Sequence, residues 1–256
     1  MFRLISIAMS GNSNLILDCA LISDIGLKRK QNQDMGGVRP DLGLFVVADG
    51  MGGHQGGEIA SQLCVETLIQ TVERNANDED RALLEKAVHE ANEAILKRAQ
   101  EDTRLHGMGT TATVLLIRGE TATLLQVGDS RGYYWNDEGI WQLTKDHSLV
   151  QEKLRAGLIT REQVKSDEMK NVITRSVGYE PGLKADCFTF PVARGDGFLL
   201  CSDGVSGPVD DTLMFEILEE TRRNGLSLGE AAKRLIHTAN SKSGDDNATV
   251  VLVKVL

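Results

Sequence analysis

Apolar residues occur in two patterns along this chain: short continuous runs, and longer segments in which they recur at helical spacing. The continuous runs predict buried β-strands, and the spaced residues predict helices that bury one face. Strands are predicted at 14–20, 44–48, 109–117, 121–127, 132–135, 140–143 and 248–255, with two more before residue 202. Helices are predicted at 58–74, from 84 to near Glu101, and at 148–156, 161–166, 210–223 and 227–239.

The order of these elements indicates a layered domain. Two helices, a run of strands, two further helices and a last strand favour sheet layers that are covered by helix layers. A chain of 256 residues can bury a sizeable core without disulfides or a structural metal. No proline-rich or serine-rich linker divides it, so we expect one domain over residues 14–256.

Residues 1–13 are expected to form an N-terminal extension whose role the sequence does not assign. Their apolar run is short, carries one positive charge and is interrupted by Ser6, which is unlike a signal peptide. An added strand or a loose extension is favoured, and no other segment is long enough to span a bilayer. We therefore expect a soluble, cytoplasmic protein without a membrane partner.

Charge and cysteine content narrow the partners and the compartment. The formal net charge of −9 argues against nucleic acid or an anionic membrane surface as the main partner. An acidic surface instead suits a protein that holds divalent cations. The four cysteines lie in apolar stretches without a CxxC pair, which favours buried free thiols in a reducing compartment. We expect a monomer.

Acidic residues stand at the ends of four predicted strands. These acids are Asp49, Asp129, Asp203 and Asp246. Three of them directly adjoin a glycine, whose lack of a Cβ lets the backbone approach an ion or a phosphate closely. One Asp-Gly pair alone would indicate only a turn. Four carboxylates at strand ends, with few bases nearby, predict a site for hard cations, and oxygen ligands favour Mg²⁺ or Mn²⁺ over zinc.

The motifs around these acids resemble those of the type 2C (PPM-type) metal-dependent protein serine/threonine phosphatases, in their bacterial form. The resemblance covers residues 18–256, and its motifs lie at 24–34, 49–58, 109–113, 128–131, 171–178, 202–204 and 246–249. Any one motif is weak, but their order is specific. The resemblance implies an α+β fold, with a central sandwich of two antiparallel sheets flanked by helices on both outer faces in four αββα layers.

The resemblance also implies a metal centre with two tightly held Mn²⁺ or Mg²⁺ ions. Asp49 would bridge the two metals, and the Gly50 carbonyl would bind one of them. Asp203 and Asp246 would complete the coordination of the other. Asp129, together with Asp203, would hold a third and weaker ion.

Three further residues match catalytic positions of the family, besides Asp49. Arg29 matches the arginine that grips the phosphate, which suits a guanidinium because its fork binds two oxygens while staying charged. The alternative is one member of a basic surface turn. Asp34 matches a residue that orients metal-bound water. His54 is a candidate proton donor to the leaving oxygen, although some relatives have that histidine where this chain has Met51. A structural role for His54 stays open.

The chain departs from the family pattern at two other places. Gln33 stands where relatives often have Glu, which removes a negative charge near the metal and could weaken metal affinity. Glu168 and Met169 replace a frequent His-Pro within residues 144–175, a segment that resembles the mobile flap beside the active site. The differences in the flap affect substrate preference more than chemistry.

The sequence therefore favours a metal-dependent hydrolase that removes phosphate from serine or threonine residues of proteins and opposes a bacterial Ser/Thr kinase, itself a candidate substrate. A non-catalytic phosphoprotein-binding module is the rival, which loss of the metal aspartates would support, yet all are present. A third interpretation dedicates the phosphatase to an anti-sigma-factor antagonist. A neighbouring gene for a membrane-anchored kinase would favour kinase antagonism, and one for a sigma-factor regulator would favour this third interpretation.

Overall fold

The structure, a computed structural model, describes residues 15–164 and 166–256, apart from the side chains of residues 53–55. Within these residues the strands are β1 (Leu17–Asp24), β2 (Asp34–Arg39), β3 (Leu44–Met51), β4 (Gly109–Thr110), β5 (Ala112–Arg118), β6 (Thr121–Val127), β7 (Arg131–Trp135), β8 (Ile140–Gln142), β9 (Asp186–Pro191), β10 (Gly197–Cys201) and β11 (Ala248–Val255). The helices are α1 (Gly53–Arg74), α2 (Asp80–Glu101), α3 (Leu149–Arg155), α4 (Arg161–Val164), α5 (Asp203–Ser206), α6 (Asp211–Arg223) and α7 (Leu228–Lys242), with a 3-10 turn at Thr103–Leu105.

The strands form two antiparallel sheets. One sheet has the order β1-β11-β10-β7-β8, and the other has the order β2-β3-β5-β6-β9, with β4 added beside β3. A cluster of buried side chains from both sheets, including Phe45, Leu115, Phe198 and Val251, fills the space between them. The two sheets are thus the two inner layers of a sandwich.

Helices cover the outer face of each sheet. Helices α1 and α2 pack on the sheet that contains β3 and β5, and α6 and α7 pack on the sheet that contains β10 and β11. Because every residue of a central strand faces either the sandwich interior or a helix layer, β3 is apolar on both faces: Val46 contributes to the helix-side core and Val47 to the interior. The predicted four-layer αββα fold is confirmed.

The element boundaries differ from the prediction in the N-terminal third. Strand β1 covers Leu17–Asp24 instead of 14–20, and helix α1 begins at Gly53, before the predicted residue 58. Strand β2 was not predicted, because its sequence Asp-Met-Gly-Gly-Val-Arg has two glycines and weak strand propensity. Its antiparallel pairing with β3 forms it. The expected extension over residues 1–13 lies outside the described residues.

The four cysteines are buried, as expected from their apolar surroundings. Burial raises the pKa of the Cys64 and Cys201 thiols to about 12. None of the described helices has the length and apolar content that crossing a bilayer requires.

Candidate active site

Five aspartates meet at one end of the sandwich, where strands from both sheets begin or end. Asp34 and Asp49 are opposite each other in the β2–β3 ladder. Asp203 follows β10 and opens α5, and Asp246 lies just before β11. Burial raises the pKa of Asp49 well above its usual value, and the charges of Asp34, Asp203, Asp129 and Asp246 raise it further. The four strand-end acids of the sequence therefore belong to one site, joined by Asp34.

Two of these carboxylates keep a buried oxygen without a hydrogen-bond partner. Asp34 accepts a 2.7 Å bond from the Ser202 hydroxyl through Oδ2, whereas its Oδ1 has none, and neither has Asp203 Oδ1. Burial raises the pKa of Asp34 to about 7. The hydrogen bond from Ser202 lowers this pKa, and the charges of Asp203 and Asp246 raise it further. Leaving buried polar oxygens unpaired costs free energy. Unpaired oxygens among like charges fit a hard cation.

The chain segment that carries Asp49 is held rigidly by two threonines. The Asp49 N–H donates to Thr111 Oγ1 at 2.9 Å, and the Asp49 carbonyl accepts from the Thr111 N–H and from Thr110 Oγ1, both at 2.9 Å. The next residue must be glycine, since a Cβ on Gly50 would lie 2.0 Å from the Gly57 carbonyl oxygen. The backbone at Asp49 and Gly50 is thus pre-positioned before any ligand binds.

Arg29 lies at the same edge of the site and bonds to one of the acids. Its Nη2 atom is 2.5 Å from Asp246 Oδ2. The neighbouring residues extend this contact, because Lys28 forms an ion pair with Asp245 and the Leu27 N–H donates to the Gly244 carbonyl at 2.8 Å. About half of the Arg29 side chain is exposed, at 49%. A guanidinium that is charged, accessible and adjacent to the acids can meet an incoming phosphate.

Asn247 holds the loop that carries Arg29, a role that sequence reasoning missed. Its side-chain amide donates to the carbonyls of Ile25 and Gln31 at 2.9 and 3.0 Å, and its Oδ1 accepts from the Gln33 N–H at 2.8 Å. The Asn247 residue is only 4% exposed. An asparagine directly before a closing apolar strand is the sequence signal that could have found it, because a buried amide needs partners.

A cavity of about 1000 Å³ opens beside the acids. Asp129, Asp203 and Asp246 line it on one side, and flap residues such as Lys170 and Asn171 line it on another. Burial raises the pKa of Asp129 to about 7, and the charges of Asp203 and Asp146 add to this effect. The cavity can take the chain that surrounds a phosphorylated residue.

The other predicted residues are placed as follows. His54 is the second residue of helix α1, and its side chain lies outside the described atoms. The Gln33 carbonyl accepts from the Gly50 N–H at 3.1 Å and from the Ser61 hydroxyl at 2.6 Å. Among the residues that the structure describes, no three side chains of His, Cys, Asp or Glu are already arranged as a metal cage. The fit to a cation rests on the unpaired oxygens and on the oxygen-only donor set.

A family model described as protein phosphatase 2C matches residues 28–238. The chain belongs to the protein phosphatase 2C family. A relative, the serine/threonine phosphatase stp of Listeria monocytogenes, is 38% identical over 239 residues, which cover 91% of this chain and 93% of that protein.

Solved structures of the family superpose closely on this fold. The serine/threonine phosphatase PstP/Ppp of Mycobacterium tuberculosis matches with a TM-score of 0.86 and 36% identity, over 93% of this chain and 98% of that chain. The catalytic domain of PstP in complex with two manganese ions also matches with a TM-score of 0.86 and 36% identity, over 95% of this chain and 100% of that chain.

Proposed function

We propose that this chain is a metal-dependent protein phosphatase that hydrolyses phosphoserine and phosphothreonine on proteins. The observation that carries the proposal is the cluster of buried and half-buried carboxylates with raised pKa values and two unpaired oxygens, next to the accessible guanidinium of Arg29. The names of its relatives point to the same activity.

The metal ligands proposed are Asp49, the Gly50 carbonyl, Asp203 and Asp246 for two Mn²⁺ or Mg²⁺ ions, with Asp129 and Asp203 for a third, weaker ion. The two manganese ions of the PstP catalytic domain support this count. Divalent cations, when bound, lower the pKa of a coordinated water and neutralise charge that develops on the phosphoryl oxygens. The threonine bonds to the Asp49 backbone fix in advance the chain segment that carries this carboxylate, which would reduce the reorganisation that metal binding needs.

The remaining residues handle phosphate, water and protons. Arg29 binds phosphate oxygens through the N–H groups that its bond to Asp246 leaves available. Asp34 orients the attacking water through its unpaired Oδ1, while the Ser202 hydroxyl holds Oδ2. His54 donates a proton to the leaving oxygen. The variant His54→Gln tests this role. Loss of hydrolysis of a phosphothreonine peptide, with hydrolysis of an activated aryl phosphate retained, would support proton donation by His54. Equal loss of both activities would contradict it.

The biological setting proposed is the bacterial cytoplasm, where the enzyme, as a monomer, opposes a Ser/Thr kinase and acts on that kinase and its substrates. The free and buried thiols of Cys64, Cys187 and Cys201 are compatible with a reducing compartment. Size-exclusion chromatography with light scattering checks the monomer, and phosphorylation of a co-expressed cognate kinase with and without the phosphatase checks the antagonism.

The deciding experiment measures hydrolysis of a phosphothreonine peptide with Mn²⁺ and with EDTA. We expect EDTA to abolish turnover and Asp203→Ala to lower kcat/KM by about 10²–10³-fold or more, since preorganised charge stabilisation is worth that much. Asp137→Ala is the matched control. Asp137 is exposed, and its carboxylate pairs with Arg222 at a distance of 3.6 Å, outside the site. A folded, Mn²⁺-binding wild type without turnover on several phosphopeptides would contradict the proposal and favour a binding module.

A further inference from the structure

The turn that presents Asp129, residues 128–131, has little rigidity of its own. Gly128 has a positive φ of 96°, and a Cβ there would lie 2.5 Å from Thr111 Cγ2, so only glycine fits. Glycine restricts the backbone least of all residues. The direction of the Asp129 carboxylate must therefore be fixed by bonds from outside the turn.

His147 supplies such bonds to the residue before Asp129. The Gly128 N–H donates to His147 Nδ1 at 3.2 Å, and the His147 N–H donates back to the Gly128 carbonyl at 2.9 Å. Both backbone polar groups of Gly128 are thus bonded to His147, and the Gln126 side-chain amide also donates to the Gly128 carbonyl at 3.0 Å. His147 is the acceptor that the structure gives for the Gly128 N–H. His147 is only 3% exposed, so an unpaired Gly128 N–H would not regain a water easily.

The ring of His147 is itself oriented by a carboxylate. Because Nδ1 accepts from Gly128, the proton of the neutral ring is assigned to Nε2, which lies 3.3 Å from Asp186 Oδ2. Arg175 Nη1 lies 3.3 Å from the same Nε2 and donates to the other oxygen of the carboxylate at 2.9 Å. Asp186 and Arg175 therefore hold the imidazole in an orientation in which its acceptor, Nδ1, faces Gly128.

Asp146, the preceding residue, holds the other end of the turn. It accepts bonds from the Arg131 guanidinium, at 2.7 Å from Nη2 and 3.0 Å from Nε. Consecutive residues 146 and 147 thus bond residues 131 and 128, which flank Asp129 on both sides.

His147 also lies near the start of the flap, where the chain pairs with the end of the flap. The His147 carbonyl accepts from the Thr174 N–H, and the Leu149 N–H donates to the Val172 carbonyl, both at 2.8 Å. Ser148 and Ile173 form an isolated antiparallel bridge between them. The two ends of the flap are therefore joined at the point where the Asp129 turn is held.

We propose that His147 is a positioning residue that aims the Asp129 carboxylate into the cavity by accepting the Gly128 N–H, and that it ties this carboxylate to the base of the flap. The inference rests on the proposed role of Asp129 as a ligand of the weakest metal. His147 touches neither substrate nor metal in this scheme.

Three variants separate the acceptor from the bulk of the ring. His147→Asn places an amide oxygen near the position of Nδ1, His147→Gln places it near that of Nε2, and His147→Leu has no acceptor. Mn²⁺ binding by the full chain is measured by calorimetry and by electron paramagnetic resonance, and melting in EDTA shows which variants fold. If His147→Leu does not fold, the Asn and Gln variants decide.

We expect His147→Leu and His147→Gln to weaken the weakest Mn²⁺ site about tenfold, as loss of an outer bond to a ligand does. His147→Asn should stay within about twofold of wild type, because its amide oxygen accepts the same N–H. In the Asp129→Ala background, His147→Leu should add nothing, since both changes act through one carboxylate.

Two results would overturn the proposal. One is an equal loss of Mn²⁺ affinity in His147→Asn and His147→Gln. The other is that His147→Leu lowers Mn²⁺ affinity as much in the Asp129→Ala background as in the wild type. Asp129→Ala that binds Mn²⁺ as the wild type does would also overturn it, since Asp129 would then not be a ligand. That last result leaves the phosphatase itself intact, provided that phosphopeptide hydrolysis still requires metal and Asp203.

Discussion

Two kinds of carboxylate occur in the interior of this molecule, and they differ in how their charge is balanced. Asp146 is 6% exposed, and its two oxygens accept several bonds from the Arg131 guanidinium. Asp34 is buried and Asp203 half-buried, but each keeps a buried oxygen unpaired and lies among other acids. The first arrangement stabilises the fold, and the second is tolerated because a bound cation can balance it.

The comparison teaches where to look for chemistry in a fold of this kind. A buried acid that is fully bonded to a partner needs no ligand. A buried acid that lacks a partner raises its pKa or awaits a cation. The Arg29–Asp246 pair lies between these cases, because it is partly exposed and its members belong to the site.

The largest effect on stability is expected from breaking the balanced pair. Asp146→Ala leaves the Arg131 charge buried without its partner, which costs about 3–5 kcal/mol of unfolding free energy. Urea unfolding in EDTA measures it, with Asp137→Ala as the exposed control, whose effect should stay within about 0.5 kcal/mol. A change of similar size in both variants would show that the burial of Asp146 does not matter.

A smaller effect of opposite sign is expected at the unbalanced acids. Asp203→Asn removes one like charge from the cluster and should raise the unfolding free energy in EDTA, since burial and the charge of Asp246 raise the pKa of the Asp203 carboxyl above its usual value. The same variant should lose the stabilisation that Mn²⁺ gives the wild type. Destabilisation of the metal-free protein would contradict the comparison.

The unbalanced charge of the acid cluster also determines how the stability of the metal-free protein changes with pH. The pKa values of Asp34 and Asp129, about 7 in the folded state, exceed the usual 3.8 of an aspartate. The folded state therefore binds more protons than the unfolded state between these values, and stability in EDTA should fall as pH rises from 5 to 8. Asp203→Asn should flatten this fall, and thermal melts across that range measure both.

The smallest effect on stability is expected at the exposed pair. Arg29→Ala should change the unfolding free energy by at most about 1 kcal/mol, as for other exposed ion pairs. Its KM for phosphopeptide should rise about tenfold, because a bond to a charged group contributes about 1.5–3 kcal/mol.

A measurement of Mn²⁺ binding by Arg29→Ala separates the role of Arg29 in phosphate binding from its bond to Asp246. Mn²⁺ affinity of the variant should increase by up to about fivefold, since a unit charge near 4 Å is worth about 1 kcal/mol in water. Arg234→Ala, which removes a surface partner of Glu220, is the control. An unchanged KM for phosphopeptide would assign Arg29 to the loop alone.

The sequence by itself determined the layered fold, and it predicted which acids stand together at the strand ends. Continuous apolar runs such as Leu44–Ala48 can be satisfied only by burial on both faces, which requires layers on each side of a sheet. Acids at strand ends, next to glycines, indicated a cation site from the sequence alone. A carboxylate at such a position lies at the edge of the sheet, while its strand is buried in the core. Motif order added the candidate roles of Arg29 and Asp34.

The tertiary structure decided what depends on contacts between distant segments. Strand β2 forms because β3 pairs with it, although its glycines disfavour a strand. Asn247 and His147 acquire their positioning contacts only when loops that are far apart in sequence come together, as in the bond from Gly128 to His147. Local propensity cannot encode such contacts, because their free energy comes from burial and from hydrogen bonds that exist only in the folded chain.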